Sequence, residues 1–540
     1  MKVIKFEEEA RELLKSGVAK LERIVGSTMG AAGKPVIIDS VTNNPYITAD
    51  GVTVSEEVEL SNQFENLGCN LVKNAARQVN QEVGDGTTTA TVLANAFIQN
   101  DRIIKNQPPL LVKRGIEKAV EHVKNTLKLY AREIDSHETL CDVATVSARG
   151  DRELGTLIAD AFAHIGKDGQ ILVEEGRGEE SSLEKVTGYQ MDGGYFTDAY
   201  INNKKRNVVD LENPRILVTN IEINDANIFS KLLNDSIKKD GSFVPLVVIA
   251  PGIDERSNVL FVSNVGKGVV GGVFIEAPEY GSQQDDILRD LAFITGGTFY
   301  DKDLGMSLKD VTLDTLGTCT TFICTQHSSV FIGGLKEADN LIEDIQPTTE
   351  FNKKRISRLQ GKLAKLFVGA KSYVELREKR DRAEDAVGAT RAALDGGIVP
   401  GGGVALFRAS LAIPINMGDT EGEKAGIRLT REALQYPLKR ILNNLFNGSV
   451  SVSKIKRFFT HYDRDEDVVL NTLKYQVDVW AGYDVKNLKY CNLFTSGIID
   501  PVKVTITALE AAASVSTTLL LTNGAICITP DEKENLTFGN

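Results

Sequence analysis

The segment GDGTTT, residues 84–89, combines residue types that can bind a phosphate and a divalent cation. Gly84 and Gly86 flank Asp85, three threonines follow, and an apolar helical pattern begins directly afterwards. Aspartate and threonine favour helix starts, and glycine permits a tight turn before one. The N–H groups of a helix start attract anions, and a carboxylate beside them can hold Mg²⁺ with a nucleotide phosphate. An ordinary helix cap explains the same residues, so the segment alone leaves both alternatives open.

Further acids and glycines stand in three other segments. Asp50 lies in ITADGV, Asp385 follows the charged run REKRDRAED, and the glycines 401–403 precede an apolar stretch. Carboxylates can orient water, and glycine lets the backbone approach a ligand closely. Taken singly, Asp385 also fits a solvated helix residue, and the glycines fit a loop without a ligand. No Gly-Lys-Ser/Thr follows GDGTTT, and no GxGxxG follows a strand-like run, so neither common nucleotide motif is indicated.

Composition restricts the class of protein. The chain has 540 residues, of which 42% are hydrophobic and 25% charged, the balance of a globular protein with several domains. Its net charge of −12 argues against sequence-independent binding of nucleic acid. No uninterrupted apolar run reaches membrane length, and the start of the chain is unlike a signal peptide. The cysteines form no CxxC pair and the histidines show no metal-ligand spacing, so we expect a reducing cytoplasm and no zinc.

The elements that must position these residues change in type along the chain. The first part is predicted to be helical, including the charged start MKVIKFEEEARELLKSG, with two short strands around Asp50 and Gly51. The main predicted helices cover residues 7–28, 63–82, 87–100 and 111–131. After about residue 187, strand-like and helical runs alternate, which predicts an α/β domain with a largely parallel sheet. A charged helical pattern returns at 335–396, so one domain is predicted to be inserted in another.

In their order along the chain, these motifs resemble the group I chaperonins, the GroEL-like family. The segments that carry the resemblance are ITADGVTV, FENLGCNLVK, GDGTTTATVLA, KRGIEKAV, IGKDGQILVEEG, MDGGY, REKRDRAEDAVGATRAAL, GGGVAL and GIIDPVKVTITALEAAASV. Each is weakly diagnostic alone, whereas the ordered set runs nearly end to end and is specific to the family. The chain is therefore identified as a divergent member.

The resemblance implies the chaperonin fold, an α+β multidomain architecture. A mainly helical equatorial domain, a small intermediate hinge domain and an inserted α/β apical domain are expected. The implied boundaries are 1–129 and 396–540 (equatorial), 130–186 and 364–395 (intermediate), and 187–363 (apical). The resemblance also implies a homo-oligomer of heptameric rings in a bacterial-type cytosol, with a virus as an alternative source of the gene.

An ATP site is implied residue by residue. By resemblance, Asp385 and Asp50 act on the attacking water, and Asp85 is a ligand of Mg²⁺. The other implied nucleotide-binding residues are Thr28, Gly30, Gly86, Thr87, Thr88, Thr89, Gly402, Asp484, Val485 and Asp500. The implied cofactors are ATP and Mg²⁺, with K⁺ as a further candidate. Phosphoryl transfer needs charge neutralisation and an oriented nucleophile, and an acid on a mobile domain would tie hydrolysis to closure.

The resemblance also places a polypeptide-binding groove on the apical domain. The implied residues are Tyr195, Phe196, Tyr200, Phe229, Leu232, Leu233, Val259 and Val262. Such side chains suit the exposed apolar segments of unfolded polypeptides, and they equally suit a core. A co-chaperonin lid that docks on the same surface is a candidate partner.

Several positions depart from the family pattern. Alanines 31, 32 and 49 stand where the family carries proline, lysine and a basic residue, and Gly193 replaces an arginine. The segment at about 450–480 is longer than usual. These departures keep open a ring-forming peptide-binding or structural protein with reduced or non-productive ATP cycling. A small-molecule ATP-dependent enzyme ranks last, because the α/β part shows no catalytic cluster.

Overall fold

A computed structural model describes residues 2–39, 45–167, 169–176, 178–203, 208–236, 243–267, 270–414, 416–447 and 466–528. The chain divides into two compact units. The first contains residues up to 163, residues 173–182 and those from 366 onwards; the second contains 164–172 and 183–365. One unit is therefore inserted in the other, as the order of sequence patterns predicts. The boundaries of a separate intermediate domain stay a prediction.

The described residues form the following helices and strands. The helices are α1 (Glu7–Val25), α2 (Gly51–Glu56), α3 (Gln63–Val83), α4 (Thr87–Gln99), α5 (Pro109–Tyr130), α6 (His137–Ser147), α7 (Arg152–Ile165), α8 (Ala226–Asp235), α9 (Glu255–Gly266), α10 (Ser282–Thr295), α11 (Asp339–Asp344), α12 (Glu350–Leu359), α13 (Tyr373–Gly396), α14 (Val404–Ala412), α15 (Glu421–Ala433), α16 (Tyr436–Asn447), α17 (Glu466–Lys474) and α18 (Val502–Leu521). The strands are β1 (Lys2–Phe6), β2 (Val36–Ile38), β3 (Tyr46–Thr48), β4 (Gln170–Glu175), β5 (Ser182–Asp192), β6 (Val209–Glu212), β7 (Arg215–Thr219), β8 (Leu246–Ala250), β9 (Gly272–Glu276), β10 (Phe299–Tyr300), β11 (Gly317–Thr318), β12 (Thr321–Cys324), β13 (Ser328–Ile332), β14 (Lys362–Val368), β15 (Ile398–Pro400), β16 (Ala481–Asp484), β17 (Lys489–Asn492), β18 (Ile499–Pro501) and β19 (Gly524–Ile528).

The central helix of the first unit is α18, which packs against α3, α4 and α5. Its residues are apolar on nearly every side, as expected for a helix that is surrounded by others. Among the described helices it is the one long and apolar enough to cross a membrane, but 67% of the tested segment is buried within the protein. Burial against its neighbours explains its composition, and it is the core on which the starts of α4 and α14 are built.

Two local predictions for the first unit are wrong. The start of the chain is a strand: β1 pairs antiparallel with β19, Lys2 opposite Ile528, and α1 begins only at Glu7. Val3, Ile4 and Phe6 are residue types that favour strands, a preference that the helical interpretation overlooked. The residues after Asp50 form α2 and not a second strand, because the Asp50 side chain caps a helix start. In the charged region 335–396, the strand β14 separates α12 from α13.

The second unit contains the predicted α/β layer. Its parallel strands lie in the order β10-β7-β8-β9, and α8, α9 and α10 follow successive strands. All five residues of β8, LVVIA, are buried, which is typical of a parallel strand covered on both faces. A second sheet has the order β4-β14-β5-β13-β12-β6, in which β5, β13, β12 and β6 pair antiparallel.

A small core in the first unit holds the short strand pair β15–β18. The pair is antiparallel, with Val399 opposite Asp500. The buried members of this core are Val143, Ala393, Ile398, Trp480 and Ile499. The Arg132 guanidinium lies 4.8 Å from the ring centroid of Trp480, a distance at which cation and ring attract each other. Through this core, residues of α6 and α13 pack beside the strand that carries Asp500.

Candidate functional site

The turn between α3 and α4 depends on its two glycines. Gly84 ends α3 at φ 71°, and Gly86 precedes α4 at φ 88°, both in the left-handed region that favours glycine. Space also excludes a side chain, since a Cβ on Gly86 would lie 2.6 Å from Val504 Cγ1. Both glycines of GDGTTT are therefore needed for the tight turn that connects α3 to α4 and sets the direction of α4.

Asp85 lies between these glycines, at the start of α4. Its Oδ1 accepts a hydrogen bond from the Gly86 N–H at 2.5 Å, and its Oδ2 accepts one from the Ser147 hydroxyl at 3.1 Å. Among the described residues no side chain caps the first turn of α4, so its N–H groups stay available to an anion. Thr87 is buried, whereas Thr88 and Thr89 are partly exposed beside it. This end of α4 has the geometry of a phosphate site with a carboxylate alongside.

Asp50 lies against the same helix start. Its Oδ2 accepts from the Thr53 N–H at 2.6 Å and its Oδ1 from the Val52 N–H at 3.3 Å, so it caps α2. A Cβ on Gly51 would lie 2.1 Å from the Thr88 hydroxyl, which shows how closely the starts of α2 and α4 approach. The glycine of ITADGV is thus the residue that lets Asp50 lie next to the threonines of GDGTTT.

Asp385 reaches this place from α13. Three residues after it, Gly388 faces Gly84, and a Cβ on Gly388 would lie only 2.8 Å from the Gly84 Cα. Because neither residue carries a side chain, α13 packs directly on the turn before α4. The structure therefore brings together Asp50, Asp85 and Asp385, which the sequence separates by up to 335 residues.

The three carboxylates of the acid cluster repel one another. Removal from water, followed by the nearby Asp50 and Asp85 carboxylates, raises the pKa of Asp385 well above its usual range. Removal from water also raises the pKa of Asp85, although the hydrogen bonds from Gly86 and Ser147 oppose that shift. Carboxylates with raised pKa values in one place are suited to a divalent cation, which would restore their charged form.

A single metal ligand fits these residues better than an all-protein cage. Within the described part of the chain, no group of three or more histidine, cysteine or acidic side chains is arranged to hold a metal. Mg²⁺ is usually bound through one or two carboxylates together with substrate phosphates and water. Asp85, beside the uncapped start of α4, matches that pattern.

Asp500 lies on β18 and faces the glycine loop. The N–H groups of Gly402 and Gly403 donate to its carboxylate, and burial raises the pKa of Asp500 to about 7. Gly402 and Gly403 have φ values of 64° and 77°, and a Cβ on Gly403 would lie 2.7 Å from the Leu438 nitrogen. The predicted loop and the predicted acid therefore form one local structure.

The loop of Thr28 and Gly30 depends on its backbone. Thr28 is buried and its hydroxyl donates to the Val25 carbonyl at 2.8 Å, so that hydroxyl serves the fold. Gly30 has φ 78°, and a Cβ there would lie 2.9 Å from Ile441 Cγ1. Any contact of this loop with a nucleotide would have to come from backbone groups.

Asp484 is committed to a turn. Its carboxylate accepts from the Lys486 and Asn487 N–H groups at 2.9 and 3.0 Å and from Asn487 Nδ2 at 2.7 Å, closing the β16–β17 hairpin. Val485, the next residue, packs in one apolar cluster with Met29 and Ile441. The hairpin is therefore beside the Thr28–Gly30 loop, but the Asp484 side chain itself is occupied.

The sequence analysis missed Ser147 and Arg149. Ser147 donates to Asp85, and Arg149 Nη2 donates to the carbonyl oxygen of Ala49, directly before Asp50. Both lie at the end of α6, in the segment TVSARGD. No spacing rule marks such residues, although an arginine followed by a glycine at a helix end was a usable signal.

The predicted polypeptide groove of the second unit needs correction. Tyr195, Tyr200 and Leu232 are core residues, at most 6% exposed, so they cannot contact a polypeptide from these positions. The Tyr200 hydroxyl donates to Asn258 Oδ1 at 2.8 Å, which gives that polar residue a structural partner. The side chains of Phe229 and Leu233 lie outside the described part of the structure.

Two groove predictions fall on exposed side chains. Phe196 is 52% exposed and Val259 is 57% exposed. Phe196 contacts Phe274 edge to face, with ring centroids 5.9 Å apart. Val262 is partly buried against the core of the unit. The apolar face offered to solvent is thus narrower than the one predicted.

Comparison with known proteins extends these observations over the whole chain. Residues 21–529 match the model of the TCP-1/cpn60 chaperonin family. The chain is also similar to the chaperonin gp146 of the Pseudomonas aeruginosa bacteriophage EL, whose crystal structure was determined in the presence of ATP-BeFx. The TM-score is 0.69 at 23% sequence identity, and the match covers 98% of this chain and 99% of that one. The similarity to gp146 supports the same fold from end to end.

Proposed function

Because the chain belongs to the TCP-1/cpn60 chaperonin family, we propose that it is an ATP-driven chaperonin. It binds non-native polypeptides in a ring of identical subunits and promotes their folding through movements driven by ATP hydrolysis. The observation that carries this proposal is the meeting of Asp50, Asp85 and Asp385 at the start of α4. A protein that had lost ATP hydrolysis would have no need to gather three acids there at the cost of mutual repulsion.

The residues divide the work of hydrolysis. The start of α4, with Thr88 and Thr89, holds the phosphates through N–H and hydroxyl groups. Asp85 would hold Mg²⁺, which neutralises phosphate charge when bound. Asp385 accepts the proton of the attacking water, a role that its raised pKa supports. Asp50 supports the same water through its charge, although part of its hydrogen-bonding capacity is used to cap α2.

The nucleoside is assigned to Asp500, the Thr28–Gly30 loop and Val485. The carboxylate of Asp500 accepts hydrogen bonds from Gly402 and Gly403, and it would accept others from ribose hydroxyls. Backbone groups of the Thr28–Gly30 loop and of Val485 would enclose the rest of the nucleotide. Binding of Mg·ATP would therefore draw together segments from both ends of the chain.

Polypeptide binding is assigned to the second unit. The exposed Phe196 and Val259 would contact apolar segments of an unfolded client. A heptameric ring, the cytoplasmic setting and the use of K⁺ or of a lid are inferred from the family resemblance alone. The rival interpretation is a ring-forming protein with reduced ATP cycling. It includes the same polypeptide-binding surface and differs only in the rate at which the first unit hydrolyses ATP.

ATP turnover separates the two interpretations. We expect the purified protein to release phosphate from Mg·ATP and to change its rate when a chemically unfolded protein is added. Electron microscopy of the same sample would count the subunits in each ring. Stable rings that bind unfolded protein but release no phosphate would contradict the proposal and favour the rival.

A further inference from the structure

Arg149 is a charged residue of the first unit that the proposed mechanism has not used. It follows the end of α6, and its Nη2 donates to the carbonyl oxygen of Ala49. That hydrogen bond places its guanidinium beside Asp50 and therefore close to the contact between Gly51 and Thr88. The arginine is thus tied to the segment that adjoins the phosphate-binding start of α4.

The backbone of Arg149 is in a conformation that arginine rarely adopts. Its φ is 58°, in the left-handed region, and Gly150 follows at φ 89°. The two N–H groups close α6 by donating to Val146 and Thr145 carbonyls at 3.0 and 2.7 Å. A residue other than glycine or asparagine is strained in this region, because its Cβ crowds the backbone. Glycine or asparagine would end α6 at less cost, so the local fold gives no reason for an arginine.

The charge of Arg149 does find partners in the site. The guanidinium attracts the carboxylates of Asp385 and Asp50 most strongly among its acidic neighbours, and it also attracts Asp85. The residue as a whole is exposed to solvent, whereas burial of its guanidinium lowers the pKa of that group. Because an arginine nevertheless keeps its proton, the site contains a permanent positive charge that attracts all three acids.

We propose that Arg149 binds the γ-phosphate of ATP and stabilises the negative charge that this group carries during hydrolysis. The inference rests on the proposed ATPase function and adds a residue to it. A guanidinium presents its N–H groups as a planar fork that matches phosphate oxygens, and one fixed cation at a transferring phosphoryl group has a large effect on rate. The strained backbone and the bond to Ala49 hold the fork in place before ATP arrives.

The reaction leaves the arginine chemically unchanged. The water oxygen forms a bond to the γ-phosphorus, and the bond from that phosphorus to the bridging oxygen breaks with its electrons on ADP. One water proton passes to a carboxylate, which we assign to Asp385. Arg149 stays protonated throughout and acts by charge and hydrogen bonding. Before ATP binds, the same guanidinium partly neutralises Asp50 and Asp385.

A role at the γ-phosphate predicts a difference between nucleotides. ADP lacks that group, so Arg149→Asn should bind Mg·ADP within about twofold of the wild type while its single-turnover hydrolysis of ATP falls about 100- to 1,000-fold. Binding of ADP with aluminium fluoride, which imitates the transferring phosphoryl group, should weaken by a similar factor. Asparagine tolerates the left-handed backbone, so the melting temperature should not fall.

Two further variants complete the test. Arg149→Lys keeps the charge without the fork and should recover part of the rate. Arg152→Asn removes a guanidinium three residues later that pairs with Asp142, and it should hydrolyse ATP at the wild-type rate. Hydrolysis by Arg149→Asn within threefold of the wild type would overturn the proposal, as would an equal loss of ADP and ATP affinity. If the wild type proved inactive, the lost preference of Arg149→Asn for ATP over ADP would still decide the role of Arg149 separately.

Discussion

The acid-lined site of the first unit and the apolar face of the second unit are held in place by different means. In the site, each functional group depends on a backbone feature: left-handed glycines at 84 and 86, the cap formed by Asp50, and the Gly388 contact. On the apolar face, Phe196 and Val259 are exposed side chains supported by packing. Single substitutions in the site should therefore cause large losses of ATP hydrolysis. Those on the apolar face should weaken client binding in proportion to the apolar area that is lost.

Among the variants that compare these two regions, the largest effect is expected from Asp385 of α13. Asp385→Ala removes the proton acceptor, so single-turnover hydrolysis should fall about 100-fold while Mg·ATP affinity stays nearly unchanged. Asp85→Ala should instead weaken Mg·ATP binding, because it removes the metal ligand. Calorimetry beside single-turnover kinetics measures both quantities. Asp395→Ala, at an exposed acid near the end of the same helix, is the matched control. Equal loss of binding in the Asp385 and Asp85 variants would contradict this division of roles.

The next effect tests the apolar face by itself. Val259→Glu places a charge on a side chain that is already exposed, so folding should be unaffected. A carboxylate facing an apolar client has no partner, and burying such an unpaired charge costs more than about 1.4 kcal/mol, so capture of an unfolded protein should weaken more than about tenfold. Tyr280→Glu, at an 88% exposed side chain of the same unit, is the control. Unchanged capture by Val259→Glu would show that clients bind elsewhere, and basal ATP turnover should stay normal in both variants.

A smaller effect is expected where α13 meets the turn before α4. Gly388→Ala would bring a Cβ to 2.8 Å from the Gly84 Cα and 2.9 Å from the Val83 carbonyl oxygen, so backbone must shift. Such overpacking costs about 1–3 kcal/mol of stability, and it should also slow hydrolysis by displacing Asp385. On the same helix, Gly396→Ala meets its nearest atom, Lys503 Cβ, at 3.6 Å and serves as the control. Calorimetric melting of both variants gives the comparison, and equal melting temperatures would refute the close packing.

The smallest effect is the pH dependence of Asp500. Its pKa is about 7 in the folded protein and near 4 when unfolded, so the stability it gives is full below pH 4 and is lost as pH rises to about 7. Asp500→Asn can still accept from Gly402 and Gly403 but does not ionise. The variant should raise the apparent melting temperature by roughly a few degrees at pH 8 and by less at pH 5. Identical shifts at both pH values would show that Asp500 ionises freely.

The sequence contained most of the site but not all of it. Family and fold, the insertion of one unit in another, and the helices at 63–82 and 87–100 are confirmed. These predictions depend on hydrophobic periodicity and on motifs whose glycines cannot easily be replaced by other residues. The Asp484 carboxylate closes a turn, and this depends on Asn487, which no motif includes. Arg149 was missed because no motif includes it, although the glycine that follows it indicates the end of a helix.

The apolar face was predicted least well, for a physical reason. Tyr200 and Phe196 are both aromatic and lie close together in the sequence, yet Tyr200 is fully buried and Phe196 is 52% exposed. Aromatic and aliphatic residues satisfy a core and a binding surface equally, so only the packing of the second unit distinguishes them. The segment at about 450–480, which is longer than usual for the family, falls partly outside the described part of the chain.

The small core around Trp480 has a spectroscopic consequence. The chain has one tryptophan, and its indole is buried against Phe494 under the Arg132 guanidinium. Its emission therefore comes from one place in the first unit, between α13 and the strand of Asp500. Excitation at the red edge of the absorption band would excite Trp480 without exciting the tyrosines of the second unit. The first unit could then be followed optically without attaching a dye.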